Sequence, residues 1–417
     1  MPEAQVRQQT YPNGLVLVAE TMPGVQSAAF TLLLPAGAAF EPADRGGMAT
    51  MVAEWVTRGA GSRDSRAVLT DLDNLGVSHS VGAQTLHTSI SAATLGRNLI
   101  PGLEIFADVL RRPAFDEAEI DPIRALALQS LQSLEDDPGS QVIYELRKHH
   151  FPDPWGRPAP GTRAGLEAAG PDDLRDFHRR FYRPNGAILG VAGAVDWDDL
   201  RRAVDRLFGD WKRQPETNVQ ANPGGPRRAH LHRDTQQIQI ALAYPSATVT
   251  SPDYYNARAA TAILGGYSSA RLFTEVREKR GLCYSVYASY EAHRDRAAVI
   301  CHAGTSADRA QETLDVTLGE IARMAESGIQ SDELDMMRAG LKSSLIMQQE
   351  SSMGRSSSLA SDWFYLNRVR PLGEISASLD ALTPEGVSAF AASGASRDMT
   401  ILTLGPNPLA VPPAEEA

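Results

Sequence analysis

The sequence predicts an α+β protein of two similar domains, each a largely antiparallel sheet packed with helices. Three observations lead there. The 417 residues exceed one ordinary core and suit two domains, at roughly 100 to 200 residues each. Strand-like runs alternate with paired helical patterns rather than with single crossover helices, which points away from regular βαβ winding. The order of elements in the first half then returns in the second, as in a duplicated fold.

Taken in order, Gly14 to Ala19 and Ser27 to Pro35 read as two strands around a Pro23-Gly24 turn. Helical patterns cover 44–57 and 65–75, the latter stopped by Gly76. Strand alternation resumes at 77–81 and 87–93, and long helical patterns follow at 99–110, 116–134 and 140–150. The half closes with an apolar strand, Ala187 to Ala192, and an amphipathic helix near Trp197 to Phe208. The stretch 212–228, KRQPETNVQANPGGPRR, has no periodicity and carries three prolines and a glycine pair. It sets the expected division: a first domain 1–215, a linker 216–228 and a second domain 229–417. Beyond it come a strand at 237–244, helices at 253–264 and 271–280, strands at 284–290 and 297–302, helices at 307–325 and 331–349, and a closing strand, Met399 to Leu404.

Composition narrows function. At 42% hydrophobic and 22% charged residues the chain is an ordinary globular protein. A net charge of -11 disfavours nucleic acid as a partner, since that affinity rests on cations neutralising phosphates. No apolar run of about 18 residues occurs, and Met1 to Asn13 hold no apolar secretory core, so a cytoplasmic location with no membrane partner is expected. Two cysteines, Cys283 and Cys301, exclude a disulfide framework and read as small buried apolar residues. The His230-x-His232 and His149-His150 pairs lack a third ligand nearby, and His79, His87, His178, His293 and His302 read as surface or hydrogen-bonded core residues. The Gly265-Gly266 turn lacks the Lys-Ser/Thr ending of a phosphate loop.

Several ordered segments carry a resemblance: Asn13-Gly14-Leu15, Gly47-Met48-Ala49, Arg58-Gly59-Ala60, Glu135-Asp136-Asp137-Pro138, Gly156-Arg157-Pro158, Tyr182-Arg183-Pro184-Asn185, Phe208-Gly209-Asp210-Trp211, Leu264-Gly265-Gly266, and Arg271-Leu272-Phe273 running on to Arg277-Glu278-Lys279-Arg280-Gly281-Leu282-Cys283-Tyr284. Spread over nearly the whole chain, this set resembles the M16 (pitrilysin, insulinase and processing-peptidase-like) zinc peptidases. The resemblance implies a clam-like half-chamber.

Catalytic members of that family carry H-x-x-E-H on a first-domain helix and a further Glu about 75 residues later. His at i and i+4 share one helical face and can reach one Zn²⁺, while the Glu polarises its water. Aligned without gaps, the ligand positions fall on Thr50 and Glu54 and the base on Ala53; the third ligand falls at Gln129 or Ser130. A one-residue slip would make Glu54 the base but leave Met51 and Trp55 as ligands. Either way, catalytic residues and metal ligands are expected to be absent, and the chain is expected to bind no cofactor itself.

The family's second-domain pattern implies a substrate-binding role for Arg277 and Tyr284, an Arg and a Tyr seven residues apart whose donors suit a peptide carbonyl that becomes an oxyanion. A plainer reading leaves Arg277 as a helix C-terminal cap and Tyr284 as a half-buried strand aromatic. The expected protein is a non-catalytic subunit, inactive alone. Its expected partners are a catalytic M16 subunit that supplies H-x-x-E-H and zinc in a heterodimer, and a peptide or unfolded substrate, with a homodimer open to the isolated chain. Two other readings stand beside this one: a structural core protein of M16 type, and an active zinc metallopeptidase with unrecognised ligands.

Overall fold

The computed structural model describes residues 5–394 and 398–413. In chain order these form β1 (Val6–Thr10), β2 (Val16–Thr21), β3 (Ser27–Leu34), α1 (Met48–Trp55), β4 (Gly59–Ala60), β5 (Arg63–Asp64), α2 (Ser65–Asn74), β6 (Ser78–Ala83), β7 (Thr88–Leu95), α3 (Leu99–Arg111), α4 (Ile120–Glu135), α5 (Pro138–His150), α6 (Arg163–Ala168), α7 (Pro171–Phe181), β8 (Ile188–Gly193) and α8 (Trp197–Phe208). The second half has β9 (Arg228–His232), β10 (Gln237–Ser246), α9 (Tyr254–Gly265), a π-helical turn (Phe273–Glu278), β11 (Cys283–Ala292), β12 (Ala297–Ser306), α10 (Ala310–Ser327), α11 (Ser331–Glu350), α12 (Ser352–Leu366), α13 (Leu372–Asp380), α14 (Pro384–Ala391) and β13 (Thr400–Gly405).

Two sheets carry the fold, one per unit. In the first the strand order is β1-β2-β8-β3-β7-β6, antiparallel except for the β2/β8 pair. In the second it is β9-β13-β10-β12-β11, antiparallel except for β13/β9. Without β1 the two orders are the same: the first strand lies parallel to the last, and the hairpin β6-β7 matches β11-β12. This shared order is the structural form of the repeat seen in the sequence.

The compact units are not contiguous halves. The first comprises the chain up to Ser133 with Arg157–Gln220 and Ile346–Val369; the second comprises Leu134–Gly156, Ala221–Leu345 and the chain from Arg370 onward. Each half therefore lends one helix to the other half's sheet, α5 to the second unit and α12 to the first. Within the linker stretch, strand β9 begins at Arg228, and Asn222 forms a bridge with Asp153.

The lent helices explain why both faces of each sheet are apolar. In the first unit Phe30, Leu32, Ile90, Leu189 and Val191 face the main core with α1, α3 and α8. On the opposite face Val18, Ala192 and Leu359 of α12 form a smaller cluster, and Leu33, Ile188 and Ala360 another. β8 is consequently buried at every residue, a run rather than an alternation. Gly190 lies where α12 comes closest: a Cβ there would sit 2.4 Å from the Ser356 carbonyl oxygen. In the second unit Val142, Ile143 and Leu146 of α5 pack on Ala241, Ile300 and Leu402, while Ile240, Leu242, Cys301 and Ile401 face α9 and α10.

Candidate functional site

Arg277 stands on the π-helical turn that leads into β11. The turn is held from both ends. Leu272 and Val276 are fully buried, and Arg271 is clamped by Glu333 at 2.6 Å and by the Gly328 carbonyl at 2.7 Å. The Lys279 amide reaches back five residues to the Thr274 carbonyl at 2.9 Å, the hydrogen bond that defines a π turn. Gly281 takes φ +61°, a left-handed value that lets the chain reverse into β11, and its amide donates to the Arg277 carbonyl at 3.0 Å. A bulge between Cys283 and Ser285 then takes Tyr284 out of the β11/β12 register.

Three cations crowd this end, and their fates differ. Glu275 binds both Lys279 and Arg280, each at 2.6 Å, and Arg280 also donates to the Glu275 carbonyl at 2.7 Å. The cation at a helix carbonyl is thus Arg280. Arg277 has no carboxylate partner among the described residues. Its guanidinium instead lies over two rings, 4.7 Å from the Phe273 centroid and 5.3 Å from that of Tyr284. Tyr284 is 80% exposed rather than half-buried. The structure thus brings Arg277 and Tyr284 together, with their donors on an open surface. Phe273, which the sequence reading missed, is the third member; its i, i+4 spacing to Arg277 was the available signal. Cys283, half-buried next to them, has its thiol pushed up to about 11 by burial despite the Arg277 charge, so it is not a thiolate nucleophile near neutral pH.

The positions aligned with a metal site lie in the first unit. The buried Glu41 carboxylate starts α1 by accepting from the Gly47 and Ala49 amides at 2.9 and 2.7 Å. On α1 the Thr50 hydroxyl donates to the Ala159 carbonyl at 2.6 Å, Ala53 is a buried methyl, and Glu54 holds Arg58 at 2.6 Å. The slipped alignment fails on packing, because Met51 and Trp55 are fully buried in the main core. Gln129 and Ser130 are exposed on α4, and no hydrogen bond joins either to Thr50 or Glu54 among the described residues. This donor set does not fit a zinc ion: it offers a hydroxyl committed to a carbonyl, a methyl and one carboxylate already neutralised. No group of three His, Cys, Asp or Glu among the described residues is placed to hold a metal.

Of the remaining histidines, His302 and His293 are buried: His302 Nε2 lies 3.0 Å from Gln239 Oε1, as a hydrogen-bonded core residue should, while its Nδ1 and the Nε2 of His293 have no hydrogen-bond partner among the described residues. Cys301 is fully buried as expected.

Two family profiles match successive parts of the chain: Insulinase (Peptidase family M16) over residues 16–158 and Peptidase M16 inactive domain over residues 169–341. The chain belongs to the M16 peptidase family. Similar proteins include the uncharacterized zinc protease YmxG of Bacillus subtilis, 24% identical over 404 residues covering 96% of this chain and 98% of that one. An uncharacterized zinc protease of Streptomyces coelicolor is 26% identical over 414 residues, covering 96% and 90%. Among solved structures, a peptidase M16 inactive domain from Pseudomonas fluorescens superposes with a TM-score of 0.88 at 22% identity, covering 98% of this chain and 99% of that one. At that identity the likeness speaks for the M16 fold, with its two antiparallel-rich sheets. No helix among the described residues is long and apolar enough to cross a membrane.

Proposed function

We propose that this M16 chain is the non-catalytic, substrate-binding subunit of a heterodimeric zinc metallopeptidase that acts on peptides or unfolded polypeptide. One observation carries the reading. The chain displays Arg277 and Tyr284 side by side with free donors, yet has no imidazole at Thr50, Ala53 or Glu54. A grip without a metal needs a second subunit that supplies H-x-x-E-H.

In that complex Arg277 and Tyr284 donate to a substrate carbonyl held at the partner's site. The guanidinium is permanently charged, and the flanking rings of Phe273 and Tyr284 restrict its motion. It therefore meets developing negative charge with little reorganisation. Such donors act only when a peptide and the partner are present, so the isolated chain is inactive.

The test is reconstitution with a similar-length M16 chain carrying H-x-x-E-H. Peptide hydrolysis should appear only in the mixture. Activity of the partner alone equal to that of the mixture refutes the reading.

A further inference from the structure

A cavity of about 310 Å³ lies against the turn that carries Arg277, lined by Thr274 and Glu275 of that turn, by Arg271 and Glu333, and by Glu320 and Arg323 of α10. All of these belong to the second unit, and neither Arg277 nor Tyr284 is in the lining. The cavity also takes in Ser327 and Gly328, where α10 ends. Gly328, at φ +73°, leads the chain out of that 18-residue helix, and the Ile329 amide turns to the Ser388 hydroxyl at 2.8 Å. The last carbonyls of a helix lack intrahelical partners, and with the aligned peptide dipoles they amount to roughly half a negative charge.

Two of the three carboxylates in the lining are satisfied. Glu333 accepts from Arg271 Nε at 2.6 Å and from the Gln330 amide at 2.9 Å, and Glu275 holds Lys279 and Arg280. Glu320 differs. It is 1% exposed, yet its Oε1 accepts no hydrogen bond among the described residues. Arg323 Nη2 lies 2.8 Å from that oxygen as an ion pair without hydrogen-bond alignment, on a side chain that is 50% exposed. Water competes strongly for such a cation. Burial pushes the Glu320 carboxyl up, Arg323 pulls it down, and Glu275 pushes it up again, with Arg271 and Arg280 adding smaller downward pulls. A buried carboxylate oxygen without a hydrogen bond is costly. Because a carboxylate has about four acceptor sites, a further donor can reach Glu320 without expelling Arg323.

A donor that carries positive charge answers both features, the carboxylate oxygen without a hydrogen bond and the carbonyl-rich helix end. An anion does not, because Arg271 is clamped by Glu333 and the Gly328 carbonyl. A neutral molecule leaves the buried charge uncompensated. We infer that this cavity binds a small organic monocation, an ammonium or guanidinium with several N–H donors, whose head group meets Glu320 beside the C-terminal end of α10. At about 310 Å³ the space takes such a head group with a short aliphatic stem. Thr274 and Glu275 belong to the turn that presents Arg277, so an occupant braces that turn.

The isolated chain suffices for the test, with butylguanidinium as the probe and butylurea, its neutral counterpart of similar shape, as the control. Titration calorimetry should show saturable one-to-one binding of butylguanidinium and a Kd for butylurea at least about tenfold higher. Hydrogen exchange should slow over 273–278 and 320–328 with the cation and not with the urea. Glu320→Gln keeps the shape of the side chain and removes its charge, so it should raise the butylguanidinium Kd by at least about tenfold without lowering Tm. Equal affinities for the two probes, or no binding of either, overturn the inference on the unaltered chain, whether or not the variant folds. An unchanged Kd in a folded Glu320→Gln protein overturns it as well. No partner subunit or peptide enters the measurement, so its failure leaves the Arg277/Tyr284 reading standing.

Discussion

Arg355 of α12 and Glu20 of β2, 335 positions apart in sequence, form a buried ion pair in the first unit, with Arg355 Nε donating to Glu20 Oε2 at 2.8 Å and the two side chains 4% and 8% exposed. It is the polar counterpart of the apolar clusters that seat α12. The Ser27 and Thr31 hydroxyls add contacts to Ser352 and Ser356 at 3.2 and 3.1 Å. Removing one partner leaves a buried charge unpaired, so Arg355→Ala should destabilise by about 3 to 5 kcal/mol in urea unfolding. Arg355→Met combined with Glu20→Gln should recover most of that loss. A single variant within about 0.5 kcal/mol of the parent would show that the pair does not hold the helix.

Gly190→Ala tests the close approach of the same helix. The added Cβ would meet the Ser356 oxygen at 2.4 Å and the Ala360 nitrogen at 2.9 Å, both backbone. Overpacking of this kind costs about 1 to 3 kcal/mol. Gly319→Ala on α10, where a Cβ meets nothing within 4 Å, is the control and should stabilise by about 0.5 to 1 kcal/mol. Thermal unfolding of the two variants should move in opposite directions.

Acid should destabilise the protein through its buried histidines. Burial pushes His178, His150 and His302 down to about 4 each. A base depressed below its unfolded value near 6.5 keeps its full contribution above about pH 6.5 and loses it as pH falls towards 4. For His178, whose Nε2 lies 2.8 Å from the Leu110 carbonyl, the loss at low pH is on the order of 3 kcal/mol. His178→Gln should flatten the stability profile between pH 6.5 and 4. Glu41 acts in the opposite sense: burial pushes its carboxyl up to about 7 against the Ala49 and Gly47 amide hydrogen bonds, so its contribution is lost as pH rises through 7. Glu41→Gln should remove that decline, which spans the interval from about 4.5 to about 7. Because the two effects oppose each other over this window, each is read from its own variant: a His178→Gln or Glu41→Gln profile parallel to that of the parent would contradict that assignment.

Arg277→Ala should separate function from folding. The stacking on Phe273 and Tyr284 at an exposed site contributes about 0.5 to 1 kcal/mol, so Tm should change little. Loss of an oxyanion donor should lower kcat of the reconstituted enzyme by about 10²- to 10³-fold, with Tyr284→Phe falling in the same direction. A fall in Tm with unchanged kcat would assign the pair a structural role alone.

Much of this was legible in the sequence, and the exceptions have physical reasons. Strands β3, β8, β10 and β13 announced themselves as apolar runs. β1, with Arg7, Gln8 and Gln9, is polar and exists because β2 offers an edge. Helix α7 was overlooked although Pro171 at its start, Asp172 and Asp173 in its first turn and Arg179 and Arg180 in its last give the usual end signals. The exchange of α5 and α12 left no local trace, since which sheet a helix covers is decided by tertiary contacts. The stretch 271–280 reads as an α-helix, and residues Phe273–Glu278 are instead wound as a π turn, which the Lys279 amide closes onto the Thr274 carbonyl. At the site, the absent imidazoles and the Arg277/Tyr284 spacing were readable.

The most direct test of the central claim is elemental analysis of the purified chain joined to a peptide-cleavage assay on the same sample. The account predicts less than stoichiometric zinc and no cleavage. About one zinc per chain with hydrolysis by this polypeptide alone would contradict it.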